Sequence, residues 1–290
     1  MKTKPTVLIL GITGMLGQTL FKVLSQSPSL VVIGTARSKS AKEFFSAPLR
    51  KNIRTNVQVD NFASLEKIIA TTQPDVIINC VGVVKQKMNE EAVLETVPIN
   101  SLLPHQLSQV AKKIKARLIL ISTDCVFSGK RGSYKESDAP DCNDLYGRSK
   151  LLGEITHSKD VLTIRTSIIG PELNSKHGLL DWFLSQKGAV HGYTNAIFSG
   201  LPTHELSAII RDLVLPNKKL WGLFHISAAP ISKYELLNLI AKVYAKKIKI
   251  IKHPEPKLNR SLNCDQFKRK TGYTIKDWKT LVNEMHQLEK

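Results

Sequence analysis

The sequence predicts an α/β chain: a doubly wound parallel sheet with a smaller mixed α/β domain after it. Three observations carry this. Short β-branched runs recur at 7–10 (VLIL), 31–34 (VVIG), 57–60 (VQVD), 76–80 (VIINC), 118–122 (LILIS) and 161–165 (VLTIR). Most are continuously apolar, as strands covered on both faces are. Helical patterns separate them, which implies crossover connections and hence a parallel sheet. Finally, a glycine-rich turn, GITGMLG, follows the first run directly.

The helices between the strands are MLGQTLFKVLSQ (15–26), FASLEKIIATT (62–72) and SLLPHQLSQVAKKI (101–114). Pro104 falls near the first turn of the last, where a missing N–H does no harm. Beyond about residue 168 the pattern loosens. GLLDWFLSQ, THELSAIIRDLVL, SKYELLNLIAKVYAKK and KDWKTLVNEMHQ are helical, with strands LFHIS (223–227) and KIKIIKH (247–253) between them. Residues 1–168 are therefore expected to form a dinucleotide-binding Rossmann domain, completed by parts of 196–230. Residues 169–290 are expected to form mainly a substrate-binding domain.

A chain of 290 residues that is 42% hydrophobic can bury a large core. Its longest apolar stretches fall far short of the roughly 20 residues a membrane helix needs. The start MKTKPTVLILGITGMLG has the charge and apolar run of a secretory signal, but glycines interrupt the run and no A-x-A-like cleavage site follows. Four cysteines without C-x-x-C spacing and eight histidines without H-E-x-x-H give no metal site, and reduced thiols in the cytoplasm are expected. The net charge of +18 is read as a solvated basic surface plus cations for phosphorylated small molecules. No basic motif is interleaved with aromatics, so nucleic acid is not an expected partner, and with no stretch long enough to span one, neither is a membrane.

In GITGMLG the first glycine permits a tight turn, the second lets backbone N–H groups approach a pyrophosphate, and the third lets the helix pack closely. Gly11, Thr13, Gly14, Met15, Leu16 and Gly17 are the expected cofactor contacts of this turn. The second strand ends TARSKS, with Arg37 20 residues after Gly17, where an acidic residue would receive the ribose of NAD. Arg37, Ser38 and Lys39 suit a 2′-phosphate instead, so NADP(H) is favoured over NAD(H). Asp60 and Asn61 close the third run; Asp60 is either an adenine contact or the N-cap of FASLEKII. Cys80, Val81 and Gly82 end the fourth strand, where a small glycine admits a cofactor.

DLYGRSKLLGE holds Tyr146 and Lys150 four residues apart on a helical stretch, and so on one face. A phenol with a pKa of about 10 is a poor acid or base near neutrality, and an adjacent ammonium lowers that pKa by stabilising phenolate. In STDCVFSG, strand alternation places Thr123 and Cys125 on one face and Asp124 on the other, as a structural acceptor. Cys125 has no histidine near it in sequence and is read as a small wall of the substrate pocket.

Together GITGMLG, INCVG, PIN with Asn100, STDCVFSGKRGSYKESDAP, LYGRSKLLGE, IRTSIIGP, GLPTHELSAII, GLFHIS and NRSLN resemble the extended short-chain dehydrogenase/reductase superfamily. Within it, the chain is most similar to the dTDP-4-dehydrorhamnose reductase group of sugar-nucleotide reductases. The resemblance implies a triad of Thr123, Tyr146 and Lys150, with Lys150 also binding the cofactor ribose. It implies NADPH-dependent reduction of a keto sugar nucleotide for surface-polysaccharide precursors, with Arg165, Trp182, Thr203 and Arg260 beside Thr123, Asp124, Cys125 and Tyr146 at the substrate. Trp182 has a core alternative and Arg165 an alternative as a tie from strand to loop. Cys125 stands where the rhamnose branch has tyrosine, and VVKQKMNEE where it has an acidic loop. The expected substrate is thus a UDP- or dTDP-linked 4-keto-6-deoxy sugar, acetamido-substituted ones included. An epimerase that retains its cofactor, or a non-catalytic subunit resembling the regulatory subunit of methionine adenosyltransferase, is the alternative. A homodimer is the assembly considered.

Overall fold

The computed structural model describes residues 4–84, 92–173 and 175–288. In chain order the strands are β1 (Thr6–Leu10), β2 (Val31–Thr35), β3 (Ile53–Arg54), β4 (Val76–Asn79), β5 (Arg117–Thr123), β6 (Val161–Thr166), β7 (Ile168–Ile169), β8 (Ala189–Tyr193), β9 (Ala196–Phe198), β10 (Leu201–Pro202), β11 (Gly222–His225), β12 (Ile231–Ser232), β13 (Lys249–His253) and β14 (Leu258–Asn259). The helices are α1 (Met15–Ser25), α2 (Ala47–Arg50), α3 (Phe62–Thr72), α4 (Val93–Thr96), α5 (Leu103–Lys113), α6 (Leu145–Leu152), α7 (Leu179–Ser185), α8 (Thr203–Ile209), α9 (Lys233–Val243), α10 (Asp265–Thr271) and α11 (Trp278–Gln287). Among the described residues, no helix is long and apolar enough to cross a membrane.

The principal sheet has seven strands in the order β11-β6-β5-β4-β1-β2-β3. Strands β1 to β5 pair in parallel, and the order reverses between β1 and β4, which is the doubly wound arrangement. Its core explains the continuously apolar strands. Leu8, Leu10, Ile77, Leu118 and Leu120 pack under Leu65 and Ile69 of α3 and Leu103 and Leu107 of α5. On α1 the buried positions Leu16, Leu20, Phe21 and Leu24 recur at helical spacing, giving that helix its sheet-facing stripe.

One expected strand is corrected. The third strand is Ile53–Arg54, not 57–60. Asn56, with φ 60°, turns the chain between the two, and Val57 then bonds to the Ala36 carbonyl at 3.2 Å without forming a ladder. Val57 is buried and Val59 packs against the same core, so their alternation reports burial, not sheet pairing.

The chain divides into two compact units. Unit 1 comprises Met1–Ser122, Asp144–Ile164 and Ser207–Leu223; unit 2 comprises Thr123–Asn143, Arg165–Leu206 and Phe224–Lys290. Unit 2 contains a parallel pair β8-β13 and a three-stranded sheet in the order β12-β9-β14. Its helix α9 opens with a capping box, in which Ser232 and Glu235 satisfy each other's backbone donors. Its helix α11 is anchored by Trp278, whose indole N–H donates to the Ala229 carbonyl at 2.7 Å.

Candidate cofactor and catalytic site

In unit 1 the glycine turn is built as its spacing requires. Gly11 has φ +82°, a conformation open to glycine. A Cβ on Gly17 would stand 2.1 Å from the Gly11 carbonyl oxygen, so only glycine lets α1 start this close to the turn. Gly14 caps α1 with no side-chain acceptor for the first-turn N–H groups. A Cβ at Gly14 would meet nothing nearer than 3.5 Å, leaving room for a ligand to approach. Unclaimed first-turn donors at the positive end of an 11-residue helix suit a pyrophosphate. Thr13 and Met15 are half-buried beside it, whereas Leu16 lies in the core and offers only its backbone.

Arg37, Ser38 and Lys39 stand exposed just past the end of β2. The Ser38 hydroxyl is held locally, accepting from the Ser40 N–H at 3.2 Å as cap of a 3₁₀ turn. Arg37 has no hydrogen-bonding partner among the described residues. Asp60 is exposed and accepts from the Asn61 N–H, while Asn61 caps α3 by accepting from the Ser64 N–H at 3.3 Å. The cap is therefore Asn61, not Asp60.

Past β4, Val81 N–H donates to Asn79 Oδ1 at 3.1 Å. A Cβ on Gly82 would lie 3.3 Å from Asn100 Oδ1 and 3.8 Å from Lys150 Nζ. Asn100, in the π turn between α4 and α5, accepts from Val83 N–H at 2.9 Å and donates to Val83 O and Ser149 Oγ. It thereby ties the segment after β4 to the helix that carries the tyrosine. Residues 85–91, in the loop whose composition departs from the rhamnose branch, lie outside the described residues.

Asp144 opens α6 by accepting from the Gly147 N–H at 2.8 Å, and Tyr146 and Lys150 follow one turn apart. Lys150 Nζ donates to the Ile121 carbonyl at 2.8 Å. Burial lowers its pKa to about 8, against the opposing pull of Glu154 and Cys80. Cys80 is driven the other way: burial pushes its thiol up to about 12, so it stays protonated despite the nearby ammonium. Glu154 in turn accepts from Ser122 Oγ at 2.5 Å. The cofactor turn after β1, the Gly82 segment after β4 and the lysine at β5 thus all gather at the carboxyl ends of adjacent parallel strands, where open α/β sheets bind ligands.

In unit 2, β5 ends at Thr123 and a 3₁₀ turn follows at Asp124–Val126. The strand alternation expected for Thr123 and Cys125 does not persist through that turn. Thr123 Oγ1 accepts from Cys125 N–H at 3.1 Å and donates to Asp124 Oδ1 at 3.2 Å. Asp124 is not turned away: burial raises its carboxyl pKa, opposed by Arg260, Cys125, Thr123 and Lys233 around it. Arg260 Nε donates to Phe127 O at 2.8 Å, and Nη1 reaches Cys125 Sγ at 3.6 Å.

Arg165 is only 3% exposed. It stacks on the Phe127 ring at 5.2 Å and lies 3.5 Å from His225 Nε2. Burial, reinforced by Arg165, lowers the His225 pKa to about 3 and keeps that ring neutral. Arg165 is thus held within unit 2 by Phe127 and His225. Thr203 is buried against Gly170, whose Cβ would stand 2.5 Å from Thr203 Oγ1. Trp182 is half-buried on α7, and the core positions of that helix are Leu180 and Phe183. Lys233, beside Asp124, Cys125 and Arg260, was not singled out in the sequence, because ISKYELL reads as a capped helix start. A further cluster joins His204, Glu205 and Glu284, whose ligand-type atoms come within metal-binding range. Its cation is Lys276, 2.8 Å from Glu205 and 2.9 Å from Glu284.

A doubly wound sheet with a glycine turn after β1 and a Tyr-x-x-x-Lys helix after β5 defines the chain as an extended short-chain dehydrogenase/reductase. It belongs to the RmlD substrate binding domain family, whose model matches residues 5–290. Among curated proteins, it is 28% identical over 251 residues to methionine adenosyltransferase 2 subunit beta of Danio rerio, covering 82% of this chain and 73% of that protein. It is 25% identical over 239 residues to the dTDP-4-dehydrorhamnose reductase of Aggregatibacter actinomycetemcomitans, covering 79% and 76%. The fold matches the crystal structure of a Bacillus anthracis dTDP-4-dehydrorhamnose reductase in complex with NADP, with TM-score 0.81 and 20% identity over 99% of this chain and 100% of that one. It also matches a Bacillus anthracis dTDP-glucose 4,6-dehydratase in complex with NAD, with TM-score 0.78 and 18% identity over 98% and 96%.

Proposed function

We propose that the protein reduces the keto group of a nucleotide-activated 4-keto-6-deoxy sugar, dTDP- or UDP-linked, in the cytoplasm, for surface-polysaccharide precursors. The observation that carries the reading is the placement of Tyr146 one turn before Lys150, with the Lys150 ammonium bound to Ile121 O beside Gly82. The uncapped glycine turn fits a dinucleotide pyrophosphate, and the exposed, unpartnered Arg37 favours the 2′-phosphate of NADP(H) over NAD(H). Relatives crystallised with NADP or NAD support a nicotinamide cofactor.

When bound, the nicotinamide supplies the two electrons and hydrogen of the reduction. The protein's own residues manage the oxygen. Tyr146 delivers a proton to it as charge develops, and the family resemblance assigns Thr123 to the same triad. With a pKa of about 8, Lys150 remains mostly cationic at neutral pH and eases loss of the Tyr146 proton. Lys150 also holds the cofactor ribose. Arg260, Cys125 and Asp124 line the substrate side.

The similarity to methionine adenosyltransferase subunit beta favours a second reading, a non-catalytic cofactor-binding subunit. The presence of Tyr146, Lys150 and the complete glycine turn argues against it. Incubation with a panel of dTDP- and UDP-4-keto sugars tests the proposal. Stoichiometric NADPH oxidation is expected; conversion without net oxidation indicates an epimerase, and binding without any conversion indicates the regulatory subunit.

A further inference from the structure

Unit 2 holds a cation that the reaction just described does not use. Lys233 is half-buried, and its ammonium makes no hydrogen bond among the described residues. The three-stranded sheet explains its position. Ser232 on β12 and Asn259 on β14 both stand opposite Ile197 on β9. Lys233 follows Ser232 directly as the first residue of α9, and Arg260 follows Asn259 directly past the end of β14, so the two cations leave neighbouring points of one sheet. Each acts electrostatically on the other and on Asp124. Arg260 fixes where the pair sits, since its guanidinium bonds Phe127 O and touches Cys125 Sγ in the turn after Thr123.

The charges there do not balance. Among the described residues, Lys233 and Arg260 are two cations and Asp124 is the carboxylate that acts on both. Asp124 also receives the Thr123 hydroxyl. A half-buried ammonium without a hydrogen-bond acceptor has lost part of its hydration with only the longer-range attraction of Asp124 in return, which is unfavourable unless a ligand restores the bonds.

We infer that Lys233 and Arg260 form an anion subsite beside Cys125 that receives an anionic oxygen group of the sugar nucleotide, either its diphosphate or a carboxylate on the sugar. This rests on the sugar-nucleotide reading above and adds Lys233 as its specificity residue. A lysine suits the task because its compact charge takes phosphate or carboxylate without requiring a planar, two-point geometry.

Calorimetric titration of the full chain, as wild type, Lys233→Met and Lys233→Arg, tests the subsite with four probes: inorganic pyrophosphate, D-glucuronate, UDP-glucose and UDP-glucuronate. Lys233→Met is expected to weaken at least one anion about ten-fold or more, with Lys233→Arg restoring most of the loss. Equal weakening of pyrophosphate and both UDP-sugars assigns the subsite to the diphosphate. Weakening confined to glucuronate and UDP-glucuronate assigns it to a sugar carboxylate. Affinities for all four probes unchanged in Lys233→Met, or no binding of any probe to wild type, overturn the subsite. Failure of the reductase reading gives a different pattern: no keto sugar nucleotide oxidises NADPH, while the Lys233-dependent anion binding persists.

Discussion

Replacing Lys150 with methionine should stabilise the cofactor-free fold at neutral pH while abolishing turnover. Burial lowers the Lys150 pKa from 10.5 to about 8, with Glu154 and Cys80 opposing. A displacement of that size corresponds to a penalty of about 3 kcal/mol at pH 7 for holding the charged form in the fold. Because the folded pKa lies below the unfolded one, the unfolded chain binds more protons between about pH 8 and 10.5. Wild-type stability therefore rises with pH through that window, and by pH 9.5 the penalty has fallen to about 1.4 kcal/mol. Methionine removes the charge but leaves the Ile121 carbonyl without its ammonium donor, a loss of about 1–2 kcal/mol. The variant is thus expected to be about 1–2 kcal/mol more stable than wild type at pH 7 and close to parity at pH 9.5. Urea titrations of both proteins at the two pH values measure this, and groups that titrate identically in both cancel. A variant less stable than wild type at pH 7, or a difference that does not move with pH, would refute burial as the cause of the lowered pKa.

Three further outcomes are expected. Arg37→Ala should raise the KM for NADPH about 10–100-fold, the loss of charge-assisted bonds to a phosphate, and leave NADH within a few-fold; parallel changes for the two cofactors would remove Arg37 from the 2′-phosphate. Cys125→Ser and Cys125→Tyr should change the ranking of sugar nucleotides in kcat/KM without abolishing reduction. Complete inactivation of a folded, cofactor-binding Cys125→Ser protein would return the thiol to covalent chemistry. Lys276→Met should cost about 1–3 kcal/mol in urea unfolding, because Glu205, 4% exposed, loses its cation; the half-open position of Lys276 keeps the figure below that of a fully buried pair.

The parts of the site that the sequence displayed are those whose geometry is local. Gly11 and Gly17 are readable because a positive φ and a 2.1 Å approach each exclude a side chain. Tyr146 and Lys150 are readable because one helical turn fixes their relation. What stayed hidden depends on partners far along the chain. Arg165 reads in sequence either as a substrate contact or as a tie from strand to loop, and its partners Phe127 and His225 lie too far along the chain to be seen there. Lys233 and Arg260 meet only because β12 and β14 flank β9, and two- and three-residue strands carry too little periodicity to be seen. The segment VQVD shows the converse case: Val57 and Val59 alternate because both reach the core, while the left-handed Asn56 diverts the chain from the sheet.

The central claim is that Tyr146 supplies the proton in an NADPH-consuming reduction of a keto sugar nucleotide. The direct measurement is NADPH oxidation by wild type and Tyr146→Phe across dTDP- and UDP-4-keto sugars, with cofactor affinity measured in parallel. The account predicts one NADPH consumed per product formed by wild type. It predicts a fall of about 10²-fold or more in kcat for Tyr146→Phe, with NADPH affinity nearly unchanged. A Tyr146→Phe protein that turns over at the wild-type rate would contradict it.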